Sequence, residues 1–411
     1  MFRKDFPVFS HHPDLIYLDN ASTMQKPESV IRGITEYLST SYANIHRWSY
    51  DLSEQSEVLY EASKKKVAQY IWAKDSAEII YTYNSTYAAN LLAQSLRKSG
   101  WLKQGDTVVL NASDHHANIV PWLILKEEWY INVKIIPPYS NGTFDYDALK
   151  TFLTSDVRCL SMTAASNVTG ECIDLKRISE ILDEVYSSGV RPYFVVDASQ
   201  YIPHFPVDVN TMGIDFLFFT GHKIMADTGI GVLYGKKHLL KELQPAWCWG
   251  GAINEVHEDS YTPAGLPFRF EPGTPHIVWA VSLLLALEYI ANIWGYPVLI
   301  QHEAELVQYM LLKIEQSKAF KEWKYTLLWP SDGGKRIGVF TFYFPSIHPH
   351  DVADMLANEW IAVRSWHHCT QPLHELIQVP ASLRVSFALY NSKEDIDVFF
   401  EKFEIILSRL S

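Results

Sequence analysis

The feature that most constrains this chain is an alternation. From about Leu15 to Gly231, short apolar runs trade places with longer amphipathic stretches. "EIIYTY" is followed by "NSTYAANLLAQSLRKSG", "DTVVLNA" by "HHANIVPWLILKEEW", and "VKIIPPY", through an Asn141–Gly142 turn, by "DYDALKTFLT". "VRCLSMTAA" precedes "DLKRISEILDEVYSSG", and "PYFVVDA", "GIDFLFFT" and "GIGVLYG" close the series. Short runs rich in β-branched and aromatic residues read as buried strands, and the amphipathic stretches read as helices. Strands that alternate with helices make a mostly parallel sheet covered on both faces, the α/β class. Such sheets bind ligands at the carboxyl ends of their strands. Ser85–Thr86, His115, Asn167, Asp197 and Lys223 all fall at those ends.

Beyond this region the pattern changes. "RIGVFTFYF", "HDVADMLANEW", "IAVRSW", "LRVSFALY" and "KEDIDVFFEKFEIILSRL" read as a smaller α+β unit, joined to the first by the helical stretch "PHIVWAVSLLLALEYIANIW". A chain of 411 residues exceeds one ordinary core. The expected division is a large domain over 19–285, with 1–18 and 286–411 forming a small one. A net charge of -12 argues against nucleic acid as partner. The apolar runs are too short and too interrupted for a membrane span, and the one around Val278 to Ile290 is broken by Glu288. The start, "MFRKDFPVFS", is not a secretory signal. The four cysteines, Cys159, Cys172, Cys248 and Cys369, have no paired spacing, so the expectation is a cytoplasmic protein without disulfides.

Each strand-end residue has a plain reading and a chemical one. Lys223 follows "FLFFTGH". It is either a surface lysine closing a strand or an amine in a dry cleft, able to form a Schiff base. Asp197 is a turn former or a carboxylate that keeps a pyridine nitrogen protonated, with Gln200 in reach of the ring hydroxyl. Ser85–Thr86 is a helix start or a phosphate cup. His115 could stack on a flat ring, and with a pKa near neutrality it could also move protons. Taken together on one sheet, these residues point to pyridoxal 5'-phosphate bound at Lys223.

The stretches "YLDNAST", "QKP", "NIHR", "DHHANIVPW", "SNVTG", "VDASQ", "TGHK", "TGIGVLYGK", "RFEPGTP", "IAVRSWHHC" and "LRVSFALYN" carry a resemblance over almost the whole chain. The sequence resembles the class V aminotransferases of pyridoxal phosphate fold-type I, and within them the group II cysteine desulfurases and selenocysteine lyases. That resemblance implies a large domain built on a seven-stranded, mostly parallel sheet, and a homodimer. It implies that Lys223 holds the cofactor, that Asp197 pairs with its pyridine nitrogen and Gln200 with its phenolic oxygen, and that His115 stacks on its ring. Ser85, Thr86, Thr220 and His222 would hold the phosphate, Asn167 would lie beside the cofactor, and Thr274 would reach the phosphate of the other subunit. Arg384 would bind the substrate carboxylate, with Arg364 and His46 near the substrate. Cys369 would take the sulfur of L-cysteine as a persulfide, leaving L-alanine. Neighbouring cations would help its thiolate, and Arg364, His367 and His368 are candidates by sequence proximity alone. A sulfur-acceptor protein and iron–sulfur cluster assembly would lie downstream.

Some positions depart from the family pattern. In the phosphate turn, "YNSTYA", Asn84 replaces glycine and Tyr87 replaces glutamate. Asn84 is expected to keep the turn by tolerating left-handed backbone. Ala226–Asp227 replaces Gly-Pro after the lysine, bringing an extra carboxylate. Trp360 and Trp366 replace glycines, and His276 stands where asparagine is usual. A selenocysteine lyase or another carbon–sulfur lyase is the alternative reading, and a fold without turnover is a third. Zinc is disfavoured by the ligand spacing of "HHC", and no metal is expected. Cys172 is the rival sulfur acceptor.

Overall fold

The apolar runs become strands in order along the chain: β1 Ile79–Thr82, β2 Thr107–Asn111, β3 Asn132–Ile136, β4 Val157–Thr163, β5 Tyr193–Asp197, β6 Phe216–Thr220 and β7 Gly231–Gly235. The protein is seen in a computed structural model that describes residues 2–46, 50–139, 142–248, 250–293, 295–328 and 335–410. Asn141 of the expected turn, Arg47 of "NIHR" and Trp294 lie outside the described residues. The seven strands form one sheet in the order β1-β7-β6-β5-β4-β2-β3. Only β7 runs against its neighbours; β6 through β3 pair in parallel. The carboxyl ends of β1, β2, β4, β5 and β6 therefore share one edge. Their central positions are buried on both faces, which is why these segments are continuously apolar rather than alternating.

A second sheet carries β8 Thr326–Leu327, β9 Val339–Tyr343, β10 Arg364–Trp366 and β11 Ser382–Ser386, in the antiparallel order β8-β9-β11-β10. It packs on the helices Pro349–Asn358 and Lys393–Leu410 around Phe340, Phe342, Phe399 and Phe403. Each such ring, fully buried, contributes about 1.5–3 kcal/mol of hydrophobic stabilisation.

The packing divides the chain differently from a cut near residue 285. The joining helix Ile277–Asn292 and Leu299 belong to the large core, whereas Leu306, Val307, Met310 and Ile314 join the small one; further along the chain Ile337, Val339, Ala388, Leu389 and Tyr390 return to the large core. The change of core thus falls within the helix Tyr296–Gln316. Likewise Phe2, Phe6 and Phe9 pack into the large core, where Phe6 meets Tyr289 and Tyr390 edge-on, while Ile16 and Leu18 pack into the small one. Among the described residues no single helix is long and apolar enough to cross a membrane.

Candidate functional site

The strand ends and the small sheet enclose a cavity of ≈ 370 Å³, lined by Ala21, Ser22, Asn84, Ser85, Thr86, His115, Asn167, Gln200, Thr220, His222, Lys223, Arg364, His368, Cys369 and Arg384. Of the residues expected to hold the cofactor, bind the substrate or take its sulfur, all but Asp197, Thr274 and His46 are on that wall; His367, expected beside Cys369, is not, and its Nε2 lies 2.6 Å from Pro380 O.

Its floor is made by the sheet. Lys223 sits on the short turn Gly221–Ile224 directly after β6. Burial pulls its pKa down to about 8, against the opposing pull of Asp197. An ammonium ion surrounded by protein atoms at the floor of a cavity is poorly solvated, so the neutral amine gains. Asp197 ends β5 behind the wall, where burial pushes its carboxyl up despite a hydrogen bond from Ser199 N–H (2.9 Å) and the Lys223 charge. Gln200 donates through Nε2 to Ala21 O at 2.7 Å.

Asn84 corrects one expectation. Its backbone is extended (φ -171°), not left-handed, and its side chain caps the helix Ser85–Lys98 by accepting from Tyr87 N–H. The cap spends only the third amide, so the first-turn N–H groups of Ser85 and Thr86 are left toward the cavity, an anion site by geometry and dipole. Gly231 is required beneath this turn: a Cβ there would lie 2.3 Å from the Asn84 carbonyl carbon. Across the cavity Thr220 Oγ1 and His222 Nδ1 are buried with no hydrogen-bond partner among the described residues. Buried orphans of this kind cost free energy unless a ligand meets them. A phosphate against the helix start would do so, and a pyridine ring would reach the region of Asp197 beyond. The residues present thus fit pyridoxal phosphate.

His115 also departs from expectation. It caps the helix His116–Trp129, accepting Ala117 N–H on Nδ1 at 3.1 Å. Burial, then the charges of Lys223 and His116, push its pKa down to about 3. The ring is neutral with its proton on Nε2, a flat stacking surface rather than a base poised near neutrality.

The rim comes from the small sheet. β10 and β11 place Arg364 directly opposite Arg384. Arg384 is nearly fully buried; it donates to Asn167 O (3.1 Å), Ser22 Oγ (2.7 Å) and Asp19 Oδ1 (3.3 Å), leaving Nε without a partner. Burial lowers its pKa to about 10, so it remains charged at neutral pH. After β10 the chain hooks sharply: Trp366 (φ 114°), His368 (φ 53°) and Cys369 (φ 57°) all take positive φ. The hook is tied down by His116 N–H to Cys369 O (2.7 Å), Gln371 N–H to His116 Nε2 (3.0 Å), Asn167 Nδ2 to His368 O (2.6 Å) and Thr370 Oγ1 to Asn167 Oδ1 (3.0 Å).

Cys369 is exposed, whereas Cys159 and Cys172 are buried, Cys248 is half-buried, and Trp249 beside it lies outside the described residues. Burial pushes the Cys172 thiol far up, which removes it as a ready nucleophile. His368 is not the cation expected beside Cys369. It is buried, held far below its usual pKa by desolvation, with Nε2 3.1 Å from Ser382 Oγ. The permanently charged groups that interact with Cys369 are Arg364 and Arg384.

Three further expectations are placed elsewhere. His46 lies against Phe268 (4.9 Å between rings) and Glu57 (3.3 Å), away from this cavity. Thr274 opens on a second cavity of ≈ 340 Å³ with Tyr83, Tyr87 and His276. Its segment is anchored by Glu271, which accepts from buried Lys64 (2.5 Å), Tyr60 (3.0 Å) and Tyr81 N–H (2.6 Å). Asp227 accepts from Thr228 N–H and its charge acts on Lys26, not on Lys223. Residues of the site that went unassigned in the sequence include Asp19, Ser22 and His116. Their only signals were their places in "YLDNAST" and in the histidine pair.

With this geometry in hand, the comparisons are direct. The chain belongs to the class-V aminotransferases, whose family model matches residues 16–399. It is 36% identical over 407 residues to a probable cysteine desulfurase of Synechocystis, covering 98% of this chain and 94% of that protein. Its structure superposes on the cysteine desulfurase CsdA of Escherichia coli with a TM-score of 0.88 at 33% identity, covering 100% of this chain and 98% of that one. A cysteine desulfurase of Thermococcus onnurineus gives 0.90 at 31% identity, covering 99% and 98%.

Proposed function

We propose that the protein is a pyridoxal-phosphate-dependent cysteine desulfurase, converting L-cysteine to L-alanine and passing the sulfur through Cys369. The observation that carries this is one cavity holding a depressed-pKa lysine on its floor, a buried arginine on its wall and an exposed cysteine on its rim.

When bound, the cofactor supplies an electron sink for the α carbon of an amino acid. The chain's own residues do the rest. Lys223 holds the cofactor, and its amine, neutral in part at physiological pH, exchanges a proton with the α carbon. Asp197 would pair with the ring nitrogen, Gln200 would meet the phenolic oxygen, and the neutral His115 ring would stack on the cofactor. Ser85, Thr86, Thr220 and His222 hold the phosphate. Arg384, presenting its unpartnered Nε, binds the substrate carboxylate, a task suited to a two-pronged donor. Asn167 holds Arg384 through its backbone carbonyl and the Cys369 hook through its side-chain amide, so the group that binds the substrate and the group that attacks its sulfur are set by one residue. The exposed Cys369 sulfur, as thiolate, attacks the substrate sulfur; the carbon–sulfur bond breaks with its electron pair left on the carbon that becomes the alanine methyl group, and a persulfide forms on the protein.

Thr274 and His46 do not line the cavity of their own chain. We assign both to the cavity of a second subunit, and hence propose a homodimer in which Thr274 reaches the partner's phosphate. A sulfur-acceptor protein would collect the persulfide from the exposed rim, in the cytoplasm, for iron–sulfur cluster assembly. The test is turnover of L-cysteine with a thiol reductant. Equal amounts of alanine and sulfide support the reading; pyruvate and ammonia in place of alanine would reject it for a different carbon–sulfur lyase.

A further inference from the structure

Asp19 stands behind the cavity, in contact with both arginines but not on the wall. Its carboxylate accepts from Arg364 Nε (3.2 Å to each oxygen) and Nη2 (3.1 Å), and from Arg384 Nη2 (3.3 Å). Its side chain is 14% exposed, against 4% for Arg384 and 51% for Arg364. Three separate parts of the fold converge here. Arg364 and Arg384 are cross-strand partners in the β10–β11 pair, and Asp19 bridges to Ser386 at the end of β11. Like charges placed directly opposite one another destabilise a sheet, and a buried arginine left unpaired is costly. A structural ion pair would explain that much with one arginine. Here one carboxylate serves two, and both arginines also face the cavity.

We infer that Asp19 is a positioning residue that ties Arg384 and Arg364 into one unit of net charge +1 and thereby selects amino acids with a single acidic group over those with two. Two free guanidinium groups would welcome a second anionic group on the substrate. With Asp19 bound to Nε and Nη2 of Arg364, that arginine keeps little unspent charge for a substrate side chain. Arg384 keeps Nε for the α-carboxylate. The inference rests on the reading of Arg384 as the carboxylate clamp.

The experiment compares L-alanine with L-aspartate, titrated calorimetrically into the holoenzyme. The ratio of the two dissociation constants is the readout, because a purely structural role would move both together. In Asp19→Asn the cluster rises to +2, and the ratio should shift toward aspartate by about tenfold, the effect of one partly screened charge at short range. Asp19→Glu should keep the parental ratio. If Asp19→Asn does not fold, because the two arginines then face each other uncompensated, Arg364→Gln and Arg364→Gln with Asp19→Asn remove that repulsion. The double variant has the parental count of +1 and should bind aspartate about tenfold better, relative to alanine, than Arg364→Gln alone. An unchanged ratio across either comparison overturns the inference. Arg384→Ala separates the two claims. If it leaves alanine binding intact, the clamp reading itself is wrong. If it abolishes alanine binding while the Asp19 ratios stay fixed, only the role of Asp19 is lost.

Discussion

The floor and the rim of the cavity are built on opposite plans. The floor residues, from Ser85 to Lys223, stand at the carboxyl ends of strands of one sheet, whose pairing fixes their order. The rim residues, Arg364, Cys369 and Arg384, come from a separate sheet and a strained hook, and hold their places through hydrogen bonds between distant parts of the chain: Asp19 to Arg384, Asn167 to His368, His116 to Cys369. Position at the floor is secured by secondary structure, so its chemistry is tuned by burial. Position at the rim is secured by a few polar contacts, so a single substitution there should alter the reaction without touching the fold.

That contrast can be broken most severely at the floor. Lys223→Ala should reduce cysteine turnover by about 10³-fold or more, with the melting profile of the apoprotein little changed. Residual turnover within tenfold of the parent would mean that the floor does not hold the reacting amine.

A medium effect should come from the tie between floor and rim. His116→Ala removes the side-chain acceptor for Gln371 N–H but leaves the backbone bond to Cys369 O. The hook loosens, and persulfide formation should slow by about tenfold, with amino-acid binding unchanged. A rise in the apparent KM with no change in kcat would place His116 in binding instead.

The burial of Lys223 sets a pH dependence. Only the neutral amine combines with an aldehyde, and a lysine at about 8 is roughly one-tenth neutral at pH 7 and nine-tenths neutral at pH 9. Uptake of pyridoxal phosphate by the apoprotein should therefore accelerate as pH rises from 7 and level off near 9. A rate still climbing past pH 10 would show an unperturbed lysine.

The smallest effect belongs to Trp366. A side chain held at φ 114° is strained, at a cost of order 1–3 kcal/mol, and this one is half exposed. Trp366→Gly should therefore leave stability unchanged or raise it by about 1 kcal/mol in urea unfolding, while freeing the hook and lowering the rate of sulfur transfer. A clear loss of stability would mean that its contacts with His350 and His367 outweigh the strain.

The same contrast explains what could be read in advance. The large-domain strands and their order along the chain were legible because a buried parallel strand writes itself as an apolar run, and Lys223, Asp197 and His115 were legible because they interrupt such runs at the end. The hook was not. Nothing local in "RSWHHC" announces three positive φ values, and nothing in "YLDN" announces that Asp19 will meet arginines more than 340 residues away. Burial decided the rest: two adjacent "HH" pairs look alike in sequence, yet His115 and His368 are both desolvated into neutrality and so lose the proton-carrying and cationic roles their composition suggested.

The central claim is that sulfur leaves cysteine through the rim, on Cys369. A brief pulse of L-cysteine followed by alkylation and peptide mass spectrometry tests it. The account predicts an added sulfur on the peptide carrying Cys369 and none on those carrying Cys159 or Cys172, with the signal and most sulfide release lost in Cys369→Ser. A persulfide on Cys172, or undiminished cysteine turnover by Cys369→Ser, would contradict it.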